Sequence, residues 1–130
     1  MLTKLLVRRQ LAICLVFLFL LASCATVQDS WNKLTPDQKA RIVVSDLQGQ
    51  LGTAFDTAKA YVDVHPQYKD IWKSKVLPSF DVANTALAGA MKLAQQQQIT
   101  PEQIYINIVP VLKKVIAAAA EMGLTLPSFK

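Results

Sequence analysis

The sequence predicts an all-α protein whose three long helices form an antiparallel up-down-up bundle behind an N-terminal targeting segment. Apolar residues recur every three or four positions through three long stretches, which is typical of amphipathic helices. Short links that contain proline separate these stretches. No stretch alternates apolar and polar residues for long enough to indicate a strand.

The N-terminal segment has the layout of a secretory signal. Lys4, Arg8 and Arg9 supply positive charge without an acidic residue, and an uncharged apolar run follows from Leu11 to Leu21. That run is too short to span a membrane comfortably. It ends in Leu21-Ala22-Ser23-Cys24, where two small residues precede a cysteine.

This tetrapeptide resembles the lipobox of bacterial lipoproteins. The resemblance implies cleavage between Ser23 and Cys24, a thioether-linked diacylglyceryl group on Cys24, and usually an acyl chain on its new amino group. Several acyl chains anchor a protein stably, since each buried methylene contributes about 0.8 kcal/mol. Ala25 replaces the aspartate that favours retention in the inner membrane, which implies an outer-membrane location facing the periplasm. The alternative is a plain signal peptide or an uncleaved helix with an incidental cysteine.

The resemblance divides the chain into a signal peptide of residues 1–23, a lipidated tether of residues 24–34 and a helical domain of residues 35–130. Loss of the signal removes three of the 14 basic residues and no acidic one, so 11 basic and 9 acidic residues leave a net charge of +2. This charge does not favour a nucleic-acid partner. Cys14 leaves with the signal and lipid occupies Cys24, so no thiol remains for a disulfide, a zinc site or a nucleophile.

The first helix of the domain is predicted to begin at Thr35-Pro36-Asp37-Gln38. Thr35 suits the N-cap, Pro36 suits the first helical position, and Gln38 completes a capping box. His65-Pro66 ends the helix after about 28 residues, because a proline disfavours helical geometry in the residue before it. The predicted apolar positions are Ile42, Val44, Leu47, Leu51, Ala54, Phe55, Ala58, Tyr61 and Val62.

A second helix is predicted from Pro66 or Gln67 to Gln97. Pro78 removes one backbone hydrogen bond inside it, which predicts a kink or a split into a short helix and a long one. The run Gln95–Gln98 indicates a solvated helix end. The apolar line of this helix is Trp72, Val76, Phe80, Ala83, Leu87, Ala90 and Ala94.

Thr100-Pro101-Glu102-Gln103 repeats the capping pattern and predicts the start of a third helix. Pro110 predicts a kink, Gly123 a C-cap that Leu124 covers, and Leu126–Lys130 a short tail. Because many inner positions are alanine or glycine, the core is thin, and we expect the bundle to gain stability by pairing with a copy or a partner. The inner residues of the third helix are Ile104, Ile108, Val111, Leu112, Val115, Ala119 and Met122.

Aromatic and basic residues gather at the link between the first two helices. They are Tyr61, Tyr68, Lys69, Trp72 and Lys73. One interpretation is a contact site for a glycan, an anionic lipid headgroup or a partner protein. The other is that the rings close the end of the bundle and the lysines are ordinary solvent-facing charges.

No catalytic motif follows Cys24. His65 is the only histidine, and no serine lies in the glycine-rich context of a nucleophile elbow. We therefore expect neither a metal site nor a cofactor other than the covalent lipid on Cys24. The sequence favours a non-catalytic lipoprotein of the cell envelope that contacts an envelope protein or a second copy of itself. The alternative is a carrier of a small hydrophobic ligand, and an enzyme is the least favoured class.

Overall fold

The computed structural model describes residues 29–130. The signal segment and the lipobox lie outside the described residues, so cleavage after Ser23 and lipidation of Cys24 stay predictions. The described part of the chain contains helices and no strand, which confirms the predicted all-α class. Its compact unit is Thr35–Lys130.

Three helical arms pack against one another pairwise and alternate in direction, as an up-down-up bundle requires. The first arm is α1, the second combines two α-helices with a π-helical turn between them, and the third is α4. The elements, in chain order, are α1 (Pro36–Val64), a 3₁₀ turn (Pro66–Tyr68), α2 (Lys69–Ile71), a π-helical turn (Trp72–Val76), α3 (Leu77–Gln95) and α4 (Pro101–Ala120).

Both predicted capping boxes are present. The backbone N–H of Thr35 donates to Oε1 of Gln38 over 2.9 Å, and that of Thr100 donates to Oε1 of Gln103 over 2.9 Å. A hydrogen bond from the Thr35 side chain is the main cause that lowers the pKa of the Asp37 carboxyl group. Since α1 and α4 run in the same direction, their capped N-termini lie at the same end of the bundle.

A π-helical turn accommodates Pro78. The N–H of Leu77 donates to the carbonyl oxygen of Trp72, five residues earlier, and Pro78 then occupies the first turn of α3, where its missing N–H costs little. The hydroxyl of Ser79 donates to the carbonyl oxygen of Val76 over 2.6 Å. The predicted interruption of the second helix therefore exists, and its form is one extra residue in a turn.

The predicted apolar faces form the core, with one correction in α1. Ile42 is 46% exposed, and Ala40 and Val43 are buried instead. The reason is geometric, because Ile42 precedes the buried Val44 by two residues, or about 200° around the helix. In the other two arms the predicted inner residues are buried except Val111, which is partly buried.

Helix α4 continues through Pro110 and ends in a Schellman motif. The N–H of Leu124 donates to the carbonyl oxygen of Ala119 over 3.2 Å, and the N–H of Gly123 donates to that of Ala120 over 2.9 Å. Gly123 has a φ of 76°, a conformation that suits glycine. The predicted C-cap is thus present, and it turns the chain back toward α1.

Helix α3 ends at Gln95, two residues before the end predicted at Gln97, and it ends in the same hydrogen-bond pattern as α4. The N–H of Gln98 donates to the carbonyl oxygen of Leu93 over 2.9 Å, and the N–H of Gln97 donates to that of Ala94 over 3.1 Å. Here the left-handed residue is Gln97, with a φ of 57°. A side chain with a β-carbon is strained in this conformation, so α3 ends with a residue poorly suited to its backbone.

Replacing Gln97 by glycine should stabilise the protein. We expect Gln97→Gly to raise the free energy of unfolding by about 1 kcal/mol, because glycine adopts the left-handed conformation without strain. Urea denaturation of the whole chain measures the change. Gln96→Gly is the matched control, since Gln96 has a φ of −87° and should gain nothing. Equal effects of the two substitutions would contradict the assignment of strain to Gln97.

Candidate functional site

The aromatic residues predicted at the first link form a stack at the end of the bundle. The ring centroids of Tyr61 and His65 lie 4.2 Å apart with their planes at 22°, and those of Tyr61 and Tyr68 lie 6.0 Å apart at 21°. The hydroxyl of Tyr61 donates to the carbonyl oxygen of Met122 over 3.0 Å. The stack therefore joins the end of α1 to the end of α4.

Trp72 belongs to the core and not to this surface. It is 9% exposed, and its ring centroid lies 5.7 Å from that of Phe55 and 6.3 Å from that of Phe80. Of the five residues predicted to contact a partner or headgroup, only Lys69 and Lys73 are exposed. The rings close this end of the bundle, and the two lysines remain as surface charges.

The stack lies at the end of α1 opposite to the entry of the chain. Helix α1 has 29 residues and is therefore about 43 Å long. Lys69 and Lys73 consequently lie at the end of the bundle opposite Thr35.

A groove of about 780 Å³ lies between α1 and the chain segment that follows α4. Its α1 wall carries short side chains, among them Ser45, Gly49 and Thr53, and its other wall is formed by Pro127 and Phe129 with Ser128 between them. The groove is open to solvent along its length. Its volume is sufficient for a ligand of moderate size.

The tail that forms this groove is held by a pair of hydrogen bonds from one side chain. The amide nitrogen of Gln50 donates to the carbonyl oxygen of Lys130 over 2.6 Å, and the N–H of Lys130 donates to Oε1 of Gln50 over 3.0 Å. Leu126 is buried and Phe129 packs against the core. Sequence reasoning missed the groove, because Gln50 and Lys130 are 80 residues apart. The signal that could have found it is the pair of apolar residues, Leu126 and Phe129, in a tail with no helix of its own.

The outer face of α3 carries exposed apolar residues that the bundle leaves uncovered. Val82 is 59% exposed and Leu93 is 39% exposed. The small residues Ala86 and Gly89 lie between them, so that successive residues of the set are four, three and four positions apart. A β-carbon added at Gly89 would meet no atom within 4 Å. These four residues are called the α3 seam below.

The ionisable side chains of residues 29–130 lie at the surface, and no polar side chain of this part is buried. No three His, Cys, Asp or Glu side chains of these residues group closely enough to hold a metal ion. Three ion pairs among the described residues are Arg41–Asp37, Lys59–Asp63 and Lys75–Glu121, with nitrogen–oxygen distances of 3.3, 3.3 and 2.9 Å. All three are exposed to solvent, and such pairs contribute less than about 1 kcal/mol each to stability.

Among the described helices, α4 alone has the length and mean hydropathy, 1.3, of a segment able to cross a membrane. Core helices of bundles share this property. The apolar side of α4 is used in the bundle, where Ile104, Ile108 and Leu112 are buried.

Comparisons of the chain with protein families, with curated proteins and with solved structures find no match. The functional proposal therefore rests on the residues themselves.

The hydrogen bond of Tyr61 should contribute measurably to stability. We expect Tyr61→Phe to lower the free energy of unfolding by about 1 kcal/mol, because the carbonyl of Met122 loses its donor. Thermal or urea unfolding of the whole chain measures the loss. Tyr105→Phe serves as control, since Tyr105 is exposed, and should change stability little. A Tyr61→Phe protein as stable as the control would mean that the stack does not tie α1 to α4.

Proposed function

We propose that this chain is a lipoprotein of the bacterial cell envelope that acts through protein contact and not through catalysis. The observation that carries the proposal is Leu21-Ala22-Ser23-Cys24 at the end of an apolar run that follows a basic start. Acyl chains on Cys24 hold the protein at a membrane, and the tether of residues 24–34 keeps the bundle close to it. Ala25 favours the outer membrane and the periplasmic side.

The distribution of side chains in the described residues supports a non-catalytic role. Active sites gather ionisable groups with shifted pKa values in a cleft. Here the charged side chains occupy outer helix faces, and the lowered pKa of Asp37 arises mainly from a hydrogen bond of the neighbouring Thr35 side chain. The large groove is lined mostly by short hydroxyl-bearing and apolar residues, which suit packing against another molecule better than acid–base chemistry.

The lipid anchor is tested by removing the thiol. We expect Cys24→Ala to move the protein, expressed as the whole chain in a bacterium with two membranes, from the membrane fraction to the soluble fraction. Cys14→Ala is the control and should stay in the membrane fraction, because Cys14 is removed with the signal. Mass spectrometry of the native protein should find an acylated Cys24 at the N-terminus. Residues upstream of Cys24 in the native protein, or an unmodified sulfur, would exclude the anchor.

Crosslinking in living cells tests the contact role. The lipidated protein should retain a specific set of attached proteins that the secreted Cys24→Ala form lacks. Recovery of the same abundant proteins from both forms would contradict action through contact at the membrane.

A second candidate function, carriage of a small hydrophobic ligand, is favoured by the groove beside the tail. Its volume of about 780 Å³ lies in the usual range for ligand sites, about 300–1,000 Å³. Ile42, Ala54 and Phe129 give it apolar surface. Its opening to solvent makes it less suited to a fully apolar ligand than an enclosed cavity would be, so contact with protein remains the first proposal.

Filling the groove distinguishes the two functions. A carrier should be labelled by a photoreactive fatty acid added to membranes that hold the whole chain. We expect Gly49→Trp to reduce this labelling about tenfold or more if the groove binds the fatty acid, since the indole occupies the site. A β-carbon added at Gly49 would meet no neighbouring atom within 4 Å, so the backbone there has room for the start of a side chain. Ala88→Trp, on an exposed part of α3, is the control. Equal labelling of both variants would exclude the groove as a ligand site.

A further inference from the structure

The α3 seam is an apolar face with the spacing of a helix-pairing surface. Its four residues, Val82, Ala86, Gly89 and Leu93, follow one another at four, three and four positions, which is the 3.5-residue repeat of paired helices. Val82 and Leu93 are the large residues at its two ends, and both are exposed. Gly89 is exposed as well, and Ala86 is partly buried because it packs against the edge of the core.

No contact with another described residue requires a glycine at position 89. Glycine inside a helix is unfavourable relative to alanine, and the space around Gly89 would accept a β-carbon freely. A small residue on an exposed helix face permits close approach of another backbone. The seam therefore offers a shallow central region, formed by Ala86 and Gly89, between two large apolar side chains.

The seam has large side chains at its ends and small ones at its centre. This order allows it to pair with the seam of a second, antiparallel copy. When a second copy of α3 lies antiparallel with the twofold axis between residues 87 and 88, Val82 of each copy lies opposite Leu93 of the other. Ala86 then lies opposite Gly89, and the small residues meet at the centre. A twofold interface requires this matching of a surface with itself.

The charges beside the seam select the same direction. Asp81 and Lys92 lie within about 20° of each other around α3, on the side of the seam away from the core. Neither forms an ion pair with another described residue. In the antiparallel arrangement Lys92 of one copy comes level with Ala83 of the other. This position is only two residues, or about 3 Å along the helix axis, from Asp81, and the two charged side chains lie on the same side of the pair. In a parallel twofold pair the two copies of these side chains lie on opposite sides of the contact, so Asp81 of one copy does not meet Lys92 of the other.

We propose that the α3 seam is the contact surface of an antiparallel, twofold-symmetric dimer of this chain. The contact consists of a single pair of helices. We expect the surface it buries to be smaller than the roughly 1,200 Å² that is typical of stable complexes, so the dimer is weak in dilute solution. Confinement at a membrane raises the local concentration and favours it. The proposal stands on α3 alone and does not require the lipid on Cys24.

Cysteine crosslinking in membranes tests both the surface and the direction. Two copies of the whole chain with different tags are produced together, one with Val82→Cys and the other with Leu93→Cys. Mild oxidation should join them into a disulfide-linked pair that carries both tags. Val82→Cys alone should give no such pair, because the two cysteines would lie about 16 Å apart along the axis and a disulfide requires Cα atoms within about 7 Å. Ala88→Cys, exposed on another side of α3, is the matched control.

Charge reversal gives an independent readout. Asp81→Lys should lower the yield of the mixed crosslink about fivefold, since it places like charges beside each other twice in the dimer. Adding Lys92→Asp to the same chain should restore the yield. Circular dichroism of each variant checks that the helices remain folded.

Three results would overturn the dimer. They are absence of the mixed crosslink in folded variants, a Val82→Cys crosslink as strong as the mixed one, and a mixed crosslink that charge reversal leaves unchanged. Oxidation of the chain without added cysteines gives the background from Cys14 and Cys24. Failure of the lipid anchor would appear in the fractionation of Cys24→Ala, whereas failure of the dimer would appear as a missing mixed crosslink in chains that still fractionate with the membrane, so the two proposals fail separately.

Discussion

The packing of Trp72 against Phe55 and Phe80 is the contact on which the rest of the bundle depends. These three rings are the large aromatic groups that join α1 to the second arm, and Phe55 and Phe80 meet edge to face at 5.3 Å. Aromatic side chains bury more area than an alanine, and Trp72 and Phe80 are only 9% and 3% exposed. Elsewhere the core combines large aliphatic side chains, among them Leu47 and Leu112, with alanines such as Ala83, which let the helices approach closely. The π-helical turn belongs to the same arrangement, because it turns both Trp72 and Val76 inward just before Pro78.

The ends of the helices decide the surfaces that the bundle presents. Two capping boxes start α1 and α4 at one end, and two Schellman turns redirect the chain after α3 and after α4. The second of these turns sends the tail back along α1, where Gln50 holds Lys130 and a groove results. A concave surface able to receive another molecule thus arises from a helix end, and not from a cluster of reactive side chains.

Anchoring and pairing constrain each other geometrically. In an antiparallel dimer the two copies of Thr35 lie at opposite ends of a body about 43 Å long. An extended chain of 11 residues would span at most about 36–40 Å, and the helical turn at residues 29–32 makes this tether shorter. Taken together, the two proposals predict that both lipids enter one membrane only when the long axis of the dimer lies parallel to it.

The sequence by itself determined the fold class, the capped starts at Thr35 and Thr100, the end of α1 at His65 and the turn at Gly123. These features depend on the hydrogen bonds of a few neighbouring residues and on the period of the apolar pattern, and both can be read locally. Tertiary structure alone decided that Ile42 faces solvent, that Trp72 is core and not a contact residue, and that the tail returns to Gln50. Each of these depends on how a helix is rotated toward its neighbours or on residues far apart in the chain. The groove and the α3 seam arise in the same way, because a face becomes a surface only when the packing of the other helices leaves it uncovered.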